Sequence, residues 1–179
     1  MEENEEQDKI IPFDPNSINT KTLQYSIGQI VHKLENNDIL FSNKLGKPNL
    51  WNDGKKSRFI ESLILDLPTP SFYFFEDENS KWTVIDGLQR INTLEHFILV
   101  SKKGNFSHYS TPLVLQDLEF LFSFNGKSWD ELPRDINRRI LNNQITVNII
   151  GQGTSDSIKS ILFRRLNQKD LNKSAKKIR

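Results

Sequence analysis

The residue types best suited to chemistry stand together in the segment Asp86-Gly87-Leu88-Gln89-Arg90. Residues 82–85 before it are strand-like, and apolar residues at helical spacing follow it from Leu88 to about Val100, so it is predicted to join a strand to a helix. The free N–H groups in the first turn of a helix, aided by the helix dipole, form an anion site. Gly87 lacks a Cβ atom and lets a ligand approach the backbone closely. The segment therefore favours phosphate binding.

The polar side chains of this segment add to that prediction. The Arg90 guanidinium can grip a phosphate through two hydrogen bonds, and Gln89 lies in the same turn. Asp86 can hold a Mg²⁺ ion that bridges phosphates, or orient a water or a ribose hydroxyl. A competing interpretation needs no ligand, because Asp86 at the N-cap with Gln89 three residues later is close to a capping box. The spacing alone does not decide between a phosphate-binding site and a capping box. The GxxxxGK[ST] and GxGxxG patterns are absent, so this is not a P-loop or dinucleotide fingerprint.

The elements that must position this segment are helices and few strands, without strict βαβ alternation, which predicts an α+β domain with helices on a small sheet. Residues 42–54 are predicted to form a loop anchored by Trp51, and Asp77–Lys81 the turn of a hairpin. Residues 1–16 are expected to be a flexible acidic lead-in, and 17–179 a single domain. The periodicity predicts helices over 20–36, 55–67, 88–100, 115–121, 133–142 and 156–167, and strands over 38–41, 72–75, 82–85 and 144–150.

Composition excludes several classes of function. The chain has 179 residues, no cysteine and a net charge of +1. Disulfides, thiolate zinc sites and cysteine nucleophiles are therefore impossible. No apolar run is long enough to cross a bilayer, and we expect a soluble cytoplasmic protein. The neutrality is an average, because residues 1–8 carry five acids and residues 159–179 carry eight bases against Asp170. That basic segment is either a solvated helix face or a contact for phosphates or an acidic partner.

A longer pattern gives the segment a family context. Residues 58–98 read as an arginine-started helix (RFIESLILDLPTP), a hairpin, and then Ile85-Asp86-Gly87-Leu88-Gln89-Arg90-Ile91-Asn92-Thr93-Leu94. This order resembles the amino-terminal domain family of GmrSD-type modification-dependent restriction endonucleases, whose signature has the form IDGQQRLTTL. The resemblance continues through Asn125-Gly126-Lys127 and Leu132-Pro133 to residues 162–167, which are similar to the family's "iFeRlN" segment. It covers roughly residues 25–179.

The resemblance implies a ParB/sulfiredoxin-like fold and an NTP-binding, NTP-hydrolysing module that uses Mg²⁺ and gates DNA cleavage by a separate HNH-type nuclease. Carried over to this chain, it makes Asp86, Gln89 and Arg90 the expected catalytic residues, with Asp86 as the metal ligand. The expected nucleotide-binding set also includes flanking residues and two from the last predicted helix. That whole set is Asp86, Gly87, Gln89, Arg90, Thr93, Arg58, Ser62, Arg165 and Asn167.

Three departures qualify that expectation. The family has a Gln-Arg doublet before the tryptophan aligned with Trp51, whereas Gly46-Lys47 stand here. Leu88 replaces a common Gln, and Lys177 replaces a Glu of the pattern LNAQEIR. If that Glu assists hydrolysis, the chain binds nucleotide without turning it over. The family's full-length members continue further, so we expect either a part of a longer protein or a solo domain without its effector.

The alternative hypothesis is a non-enzymatic DNA-binding or protein-binding module on a ParB-like scaffold, acting through the basic C-terminal segment. A third, weaker one is an orphan scaffold part, such as that of a toxin–antitoxin pair. His32, His96 and His108 form no HxH or HxxxH pair, so neither a histidine metal site nor an HNH nuclease is expected in these residues. His96 is expected on the flank of the signature helix. No GxSxG elbow supports a serine hydrolase.

Overall fold

A five-stranded mixed sheet forms the centre of the protein, in a computed structural model that describes residues 18–41, 50–104 and 109–167. The strand order is β1-β5-β3-β4-β2. β1 pairs antiparallel with β5, β5 parallel with β3, β3 antiparallel with β4, and β4 parallel with β2. The strands are β1 (Thr20–Ser26), β2 (Ile39–Leu40), β3 (Phe72–Glu76), β4 (Trp82–Asp86) and β5 (Gln144–Ile150).

The helices are α1 (Ile27–Glu35), α2 (Asp53–Ile64), α3 (Leu88–Leu94), α4 (Val100–Lys103), α5 (Arg134–Asn142) and α6 (Asp156–Leu166). A π-helical stretch, Glu95–Leu99, joins α3 to α4, and two short 3₁₀ turns lie at Phe122–Phe124 and Trp129–Glu131. Helices and a mixed sheet confirm the predicted α+β class. The finer ParB/sulfiredoxin-like assignment stays a prediction.

The predicted helix over 20–36 is wrong in its first half. β1 occupies Thr20–Ser26 and the helix begins only at Ile27. Leu23, counted on the apolar helix face, is 42% exposed. The strand is favoured by a ladder with β5, in which the Thr22 hydroxyl donates to Asn148 Oδ1 at 2.7 Å. Ser26 then starts α1 with a capping box, since its hydroxyl and the Gln29 side chain each bind the other's backbone N–H.

The hairpin that leads to the signature is confirmed. β3 and β4 pair antiparallel around the turn at 77–81, where Asp77 Oδ1 accepts from the N–H groups of Asn79 and Lys81. Phe72 and Phe74 are fully buried on one face of β3. Phe75 points to the other face, where Lys159 of α6 lies 5.9 Å from its ring centre. Helix α6 therefore covers the side of the sheet opposite to the main core.

The core fills the space between the sheet and α1, α2, α3 and α5. Its fully buried side chains include Ile30, Ile60, Leu63, Ile91 and Phe97. In α2 the buried apolar residues follow the spacing that the sequence predicted. The signature helix departs from the prediction of a single apolar face, because every residue from position 90 to position 100 is buried.

Other predictions have mixed outcomes. The strand near 38–41 and the helices over 55–67, 133–142 and 156–167 are confirmed within a few residues. The helix over 115–121 is wrong, because Leu115 instead exchanges backbone hydrogen bonds with Gly126 and Lys127. Trp51 is half-buried, edge-on to Phe59 at 6.2 Å, which confirms it as an anchor.

The acidic lead-in over 1–16 and the bases beyond Asn167 lie outside the described residues, as does His108. No helix in the described ranges is long and apolar enough to cross a membrane.

Candidate functional site

The signature forms the predicted strand–turn–helix. β4 ends at Asp86, Gly87 has a left-handed φ of 98°, and α3 begins at Leu88. A Cβ on Gly87 would lie 2.7 Å from Cδ1 of Phe72 and 3.3 Å from the Arg90 guanidinium. Glycine is therefore required here by backbone conformation and by packing against the hairpin. The sequence indicated a turn at Gly87 and room for a ligand, but not the close packing against Phe72.

The capping-box interpretation is wrong. Gly87 is the N-cap residue of α3, and no side chain caps that end. The Asp86 carboxylate instead accepts a hydrogen bond from Arg90 Nη2 at 3.2 Å. The Gln89 side-chain oxygen accepts from the Trp51 N–H at 2.8 Å, which connects α3 to the segment preceding α2. Both polar side chains thus serve contacts that the local spacing did not reveal.

Arg90 is a buried cross-link. Its side chain is 9% exposed, and its guanidinium donates to the carbonyl oxygens of Pro70 and Ser71 and to Asp86. The group also lies over the Phe72 ring. Burial lowers the pKa of Arg90, and the Asp86 carboxylate opposes that shift. The guanidinium therefore fixes Asp86 and the entry to β3, and direct contact with a phosphate would require it to turn away from these carbonyls.

Asp86 is the accessible member of this pair. Its side chain is 32% exposed, while the arginine that holds it is buried. A fixed and partly exposed carboxylate at the start of an uncapped helix can bind a hydrated cation or orient a water. In the described part of the chain no three His, Asp or Glu side chains come together as a metal site. A metal at Asp86 would therefore need a ligand such as a phosphate to complete its coordination.

Asn167 comes to the same place from α6. Its side-chain amide donates to the Ile85 carbonyl at 3.0 Å and to the Phe163 carbonyl at 2.9 Å. Asn167, which was predicted to belong to the nucleotide-binding set, is thus hydrogen-bonded to the residue that precedes Asp86. Arg165 lies two residues earlier, with its side chain exposed.

The remaining predicted site residues use their polar groups elsewhere. Thr93 is fully buried and its hydroxyl donates to the Gln89 carbonyl at 2.7 Å, and Ser62 donates to the Arg58 carbonyl at 2.9 Å. Both are helix-internal bonds to the residue four positions earlier. Arg58 contacts the loop after residue 116, at the Asp117 carbonyl (3.5 Å) and the Glu119 carboxylate (3.7 Å).

Glu61, whose role the sequence left uncertain, has a defined one. It is 3% exposed, and its carboxylate accepts from the N–H groups of Glu119, Phe120 and Leu121 at 2.8–3.0 Å. Burial raises the pKa of Glu61, but the three backbone donors and the positive charge of Arg58 together outweigh burial and leave the pKa below its ordinary value. The sequence could have indicated this role, because Glu61 lies between residues of the apolar face of α2, and a buried acid needs a hydrogen-bond partner.

A second polar cluster surrounds His96, which the sequence placed on a helix flank. The imidazole is buried, stacks on Tyr109 at 3.8 Å, contacts Lys56 Nζ through Nδ1 at 3.0 Å and contacts the Thr111 carbonyl through Nε2 at 2.9 Å. Lys56 also pairs with Asp53 at 3.2 Å. Burial, and then the carboxylates of Glu95 and Asp53, raise the pKa of Tyr109 to about 12. The cluster joins α2 to the π-helical stretch, a distortion often found near functional sites.

One known family is similar to this chain in sequence. The chain matches the sequence model of the family described as "GmrSD restriction endonuclease, N-terminal domain" over residues 48–178. No curated protein and no solved structure matches it significantly. The matched range contains α2, the hairpin, the signature with Asp86 and Arg90, and Asn167 at the end of α6. Because the match spans more than half of the chain and includes the whole signature, the chain belongs to the family of GmrSD restriction endonuclease N-terminal domains.

Proposed function

We propose that this restriction-system domain binds a nucleoside triphosphate with Mg²⁺ at Asp86–Arg90 and hydrolyses it. We further propose that it acts in the cytoplasm as the regulatory part of a modification-dependent anti-phage system, gating an HNH-type nuclease in cis or in trans. The observation that carries the proposal is the pairing of a partly exposed Asp86 with a buried Arg90 at an uncapped helix start. That start supplies backbone N–H groups for phosphate oxygens.

The single carboxylate of Asp86 suits Mg²⁺ bound together with a nucleotide better than it suits a metal that protein side chains alone would coordinate. Mg²⁺ in nucleotide sites takes one or two carboxylates, keeps several waters and fills its shell with phosphate oxygens. Asp86 offers one such carboxylate, fixed by its 3.2 Å bond to Arg90. When bound, the metal would neutralise charge on the phosphates.

The other predicted residues divide by role in this proposal. Gln89 and Arg90, which the resemblance makes catalytic residues, position the site in this proposal, because both side chains are engaged in contacts within the protein. Arg90 keeps the Asp86 carboxylate in place, and Gln89 keeps the segment at Trp51 close to the first turn of α3. Asn167 positions the end of β4 through the Ile85 carbonyl. Arg165 is exposed and available to a bound phosphate.

A calorimetric titration of ATP, GTP, CTP and UTP, each with Mg²⁺ and with EDTA, tests binding, and phosphate release tests turnover. We expect Asp86→Asn to weaken Mg²⁺-dependent binding at least about tenfold, since a metal ligand is lost. Asp130→Asn is the matched control, because Asp130 is an exposed carboxylate far along the chain from the signature. Absence of binding by all four nucleotides, or equal affinity in Asp86→Asn, would refute the proposal.

The second candidate function is DNA binding through the basic C-terminal segment. Arg164 and Arg165 are adjacent and exposed in the last turn of α6, which favours phosphate contacts on that side. Modified and plain duplexes titrated at two salt concentrations test it, because the slope reports the number of phosphates neutralised. Arg164→Gln with Arg165→Gln should lower that slope by about 2 in log–log units. No binding at low salt would remove this candidate.

A further inference from the structure

Two large aromatic side chains project from the loop between residues 117 and 122, here called the phenylalanine loop. Phe120 is 65% exposed and Phe122 is 67% exposed, and Val114, shortly before the loop, is 46% exposed. Single exposed apolar residues are common on protein surfaces. Phe120 and Phe122 are only two positions apart in the chain and both are largely exposed, so this short segment presents more apolar surface than a single scattered residue does.

A buried carboxylate fixes the backbone of the phenylalanine loop. The Glu61 carboxylate of α2 accepts three successive backbone N–H groups, those of residues 119, 120 and 121. The Leu118 N–H donates to Asn125 Oδ1 at 3.2 Å, and Leu118 itself is buried. The backbone under Phe120 is therefore fixed although its ring lies largely outside the core. Such preorganisation lowers the entropy lost when a partner binds.

The surroundings of the phenylalanine loop are acidic. Residues 111–131 contain one base, Lys127, against four acids, which are Asp117, Glu119, Asp130 and Glu131. All four acids are exposed. Arg58 offsets Glu119 only in part, because the ion pair is 3.7 Å long and both side chains are exposed. The local charge disfavours nucleic acid and favours a partner that carries bases around an apolar centre.

We infer that the phenylalanine loop is a docking surface for a segment of a partner protein that presents apolar side chains flanked by Lys or Arg. Phe120 and Phe122 supply the apolar anchors, and Asp117 and Glu119 contact the flanking bases. Aromatic anchors on a fixed backbone are the usual centres of binding energy in protein interfaces. The surface shares no residue with the Asp86–Arg90 pair and does not depend on nucleotide binding.

The probe is a synthetic amphipathic helix with leucines on one face and lysines on the other, titrated into the full ¹⁵N-labelled chain. We expect amide shifts concentrated in residues 114–124. The double variant Phe120→Ser, Phe122→Ser should weaken binding at least about tenfold, because both anchors are lost. The double variant Asp117→Asn, Glu119→Gln should weaken binding about threefold and reduce its salt dependence.

Controls separate this surface from general attraction. Leu23→Ser removes another exposed apolar side chain, 42% exposed on β1, and should leave the affinity unchanged. A matched helix with glutamates in place of lysines should bind at least about tenfold more weakly. The acids of residues 2–8 can also attract lysines. The loss of affinity in the Phe120→Ser, Phe122→Ser variant is therefore the result that shows where the helix binds.

Three results would overturn the inference. They are no binding of the leucine–lysine helix up to about 1 mM, undiminished binding by the double serine variant, or equal binding of the glutamate helix. Urea unfolding of each variant shows whether it is folded, and exposed substitutions of this kind should change stability by less than about 0.5 kcal/mol.

Discussion

The Arg90 guanidinium lies 4.2 Å from the centre of the Phe72 ring, and the same ring occupies the space beside Gly87. Phe72 is the first residue of β3, so the glycine and the arginine of the signature both fit one residue of the preceding strand. The hairpin and the signature helix therefore pack as one unit, in which the Phe72 ring contacts both the turn at Gly87 and the guanidinium of Arg90. This unit holds Asp86 at the surface.

Gly87→Ala should destabilise the fold by about 2–4 kcal/mol, because it adds a Cβ at a left-handed φ and against the Phe72 ring. Gly126→Ala is the matched control. Gly126 has a φ of 81°, but a Cβ added there would meet nothing within 4 Å, so only the conformational cost of about 1 kcal/mol remains. Urea denaturation of the three proteins measures both values. Equal losses would show that packing against Phe72 is unimportant.

Arg90→Met should lower the free energy of unfolding by about 2–4 kcal/mol, since the carbonyls of Pro70 and Ser71 lose a charged donor. Arg138→Met, on an exposed position of α5, serves as control and should change stability by less than about 0.5 kcal/mol. Denaturant unfolding gives the comparison. A wild-type value for Arg90→Met would contradict the cross-linking role, and only folded Arg90 variants are informative in nucleotide titrations.

Glu61→Gln should destabilise the protein by about 2 kcal/mol at neutral pH, because the ionised carboxylate accepts three backbone N–H groups. The pKa of Glu61 lies below its ordinary value of 4.5 in the folded state. A lowered pKa stabilises the fold above the unfolded-state value, and this contribution is lost as pH falls through the folded-state value. The gap between wild type and variant should therefore be constant above about pH 5.5 and narrow below pH 4.5.

Glu119→Gln is a suitable control for that pH series, because the Glu119 side chain is 61% exposed. Its free energy of unfolding at neutral pH should lie within about 0.5 kcal/mol of the wild type, because an exposed ion pair contributes little. A gap between wild type and Glu61→Gln that does not change in acid would argue against an ionised Glu61 in the folded protein.

Tyr109→Phe should change the alkaline limit of stability. The pKa of Tyr109 is raised from 10.0 to about 12 in the folded state, mainly by burial. A raised pKa gives a contribution that is complete below the unfolded-state value and is lost as pH rises through the folded-state value. Wild type should therefore lose stability relative to Tyr109→Phe between pH 10 and pH 12, measured by denaturant unfolding at each pH. Parallel curves over that range would contradict the burial of the phenol.

Local patterns predicted most of the frame that holds the site. The apolar spacing of α2 and of the signature helix, the hairpin turn at Asp77 and the β-branched run of β5 all encode their structure within a few neighbouring residues. The helix expected over 20–36 fails because Leu23 matches a helical face by spacing alone. The pairing of Thr22 with Asn148, 126 residues away, stabilises residues 20–26 as a strand. No local sequence pattern could show that contact.

The strand–turn–helix could be predicted from the sequence, but the contacts inside it could not. Asp86 and Arg90 lie at this turn as expected, yet Arg90 binds the backbone carbonyls of Pro70 and Ser71. Spacing cannot indicate such partners, because carbonyl groups exist at every residue.

The polar residues inside the helical pattern were harder still to interpret from the sequence. Glu61 is satisfied by the N–H groups of residues 119–121, and the bond to the Phe120 N–H spans 59 positions of the chain. His96 is covered by the ring of Tyr109. Periodicity describes only the face of one helix, so it cannot show which loop closes over that face. The charge at position 61 was visible in the sequence, and its partners were not.

The pairing of the first described strand with the last has a consequence for biogenesis. Among the described strands β1 pairs only with β5, so during synthesis it cannot form its ladder until the chain has been made as far as residue 150. Contacts of such long range slow folding, because the intervening chain must be ordered before the strands meet. The same pairing lets the Gly151 N–H donate to the Asn19 carbonyl at 2.7 Å, so the late contact between these two segments of the chain continues just beyond the ends of both strands.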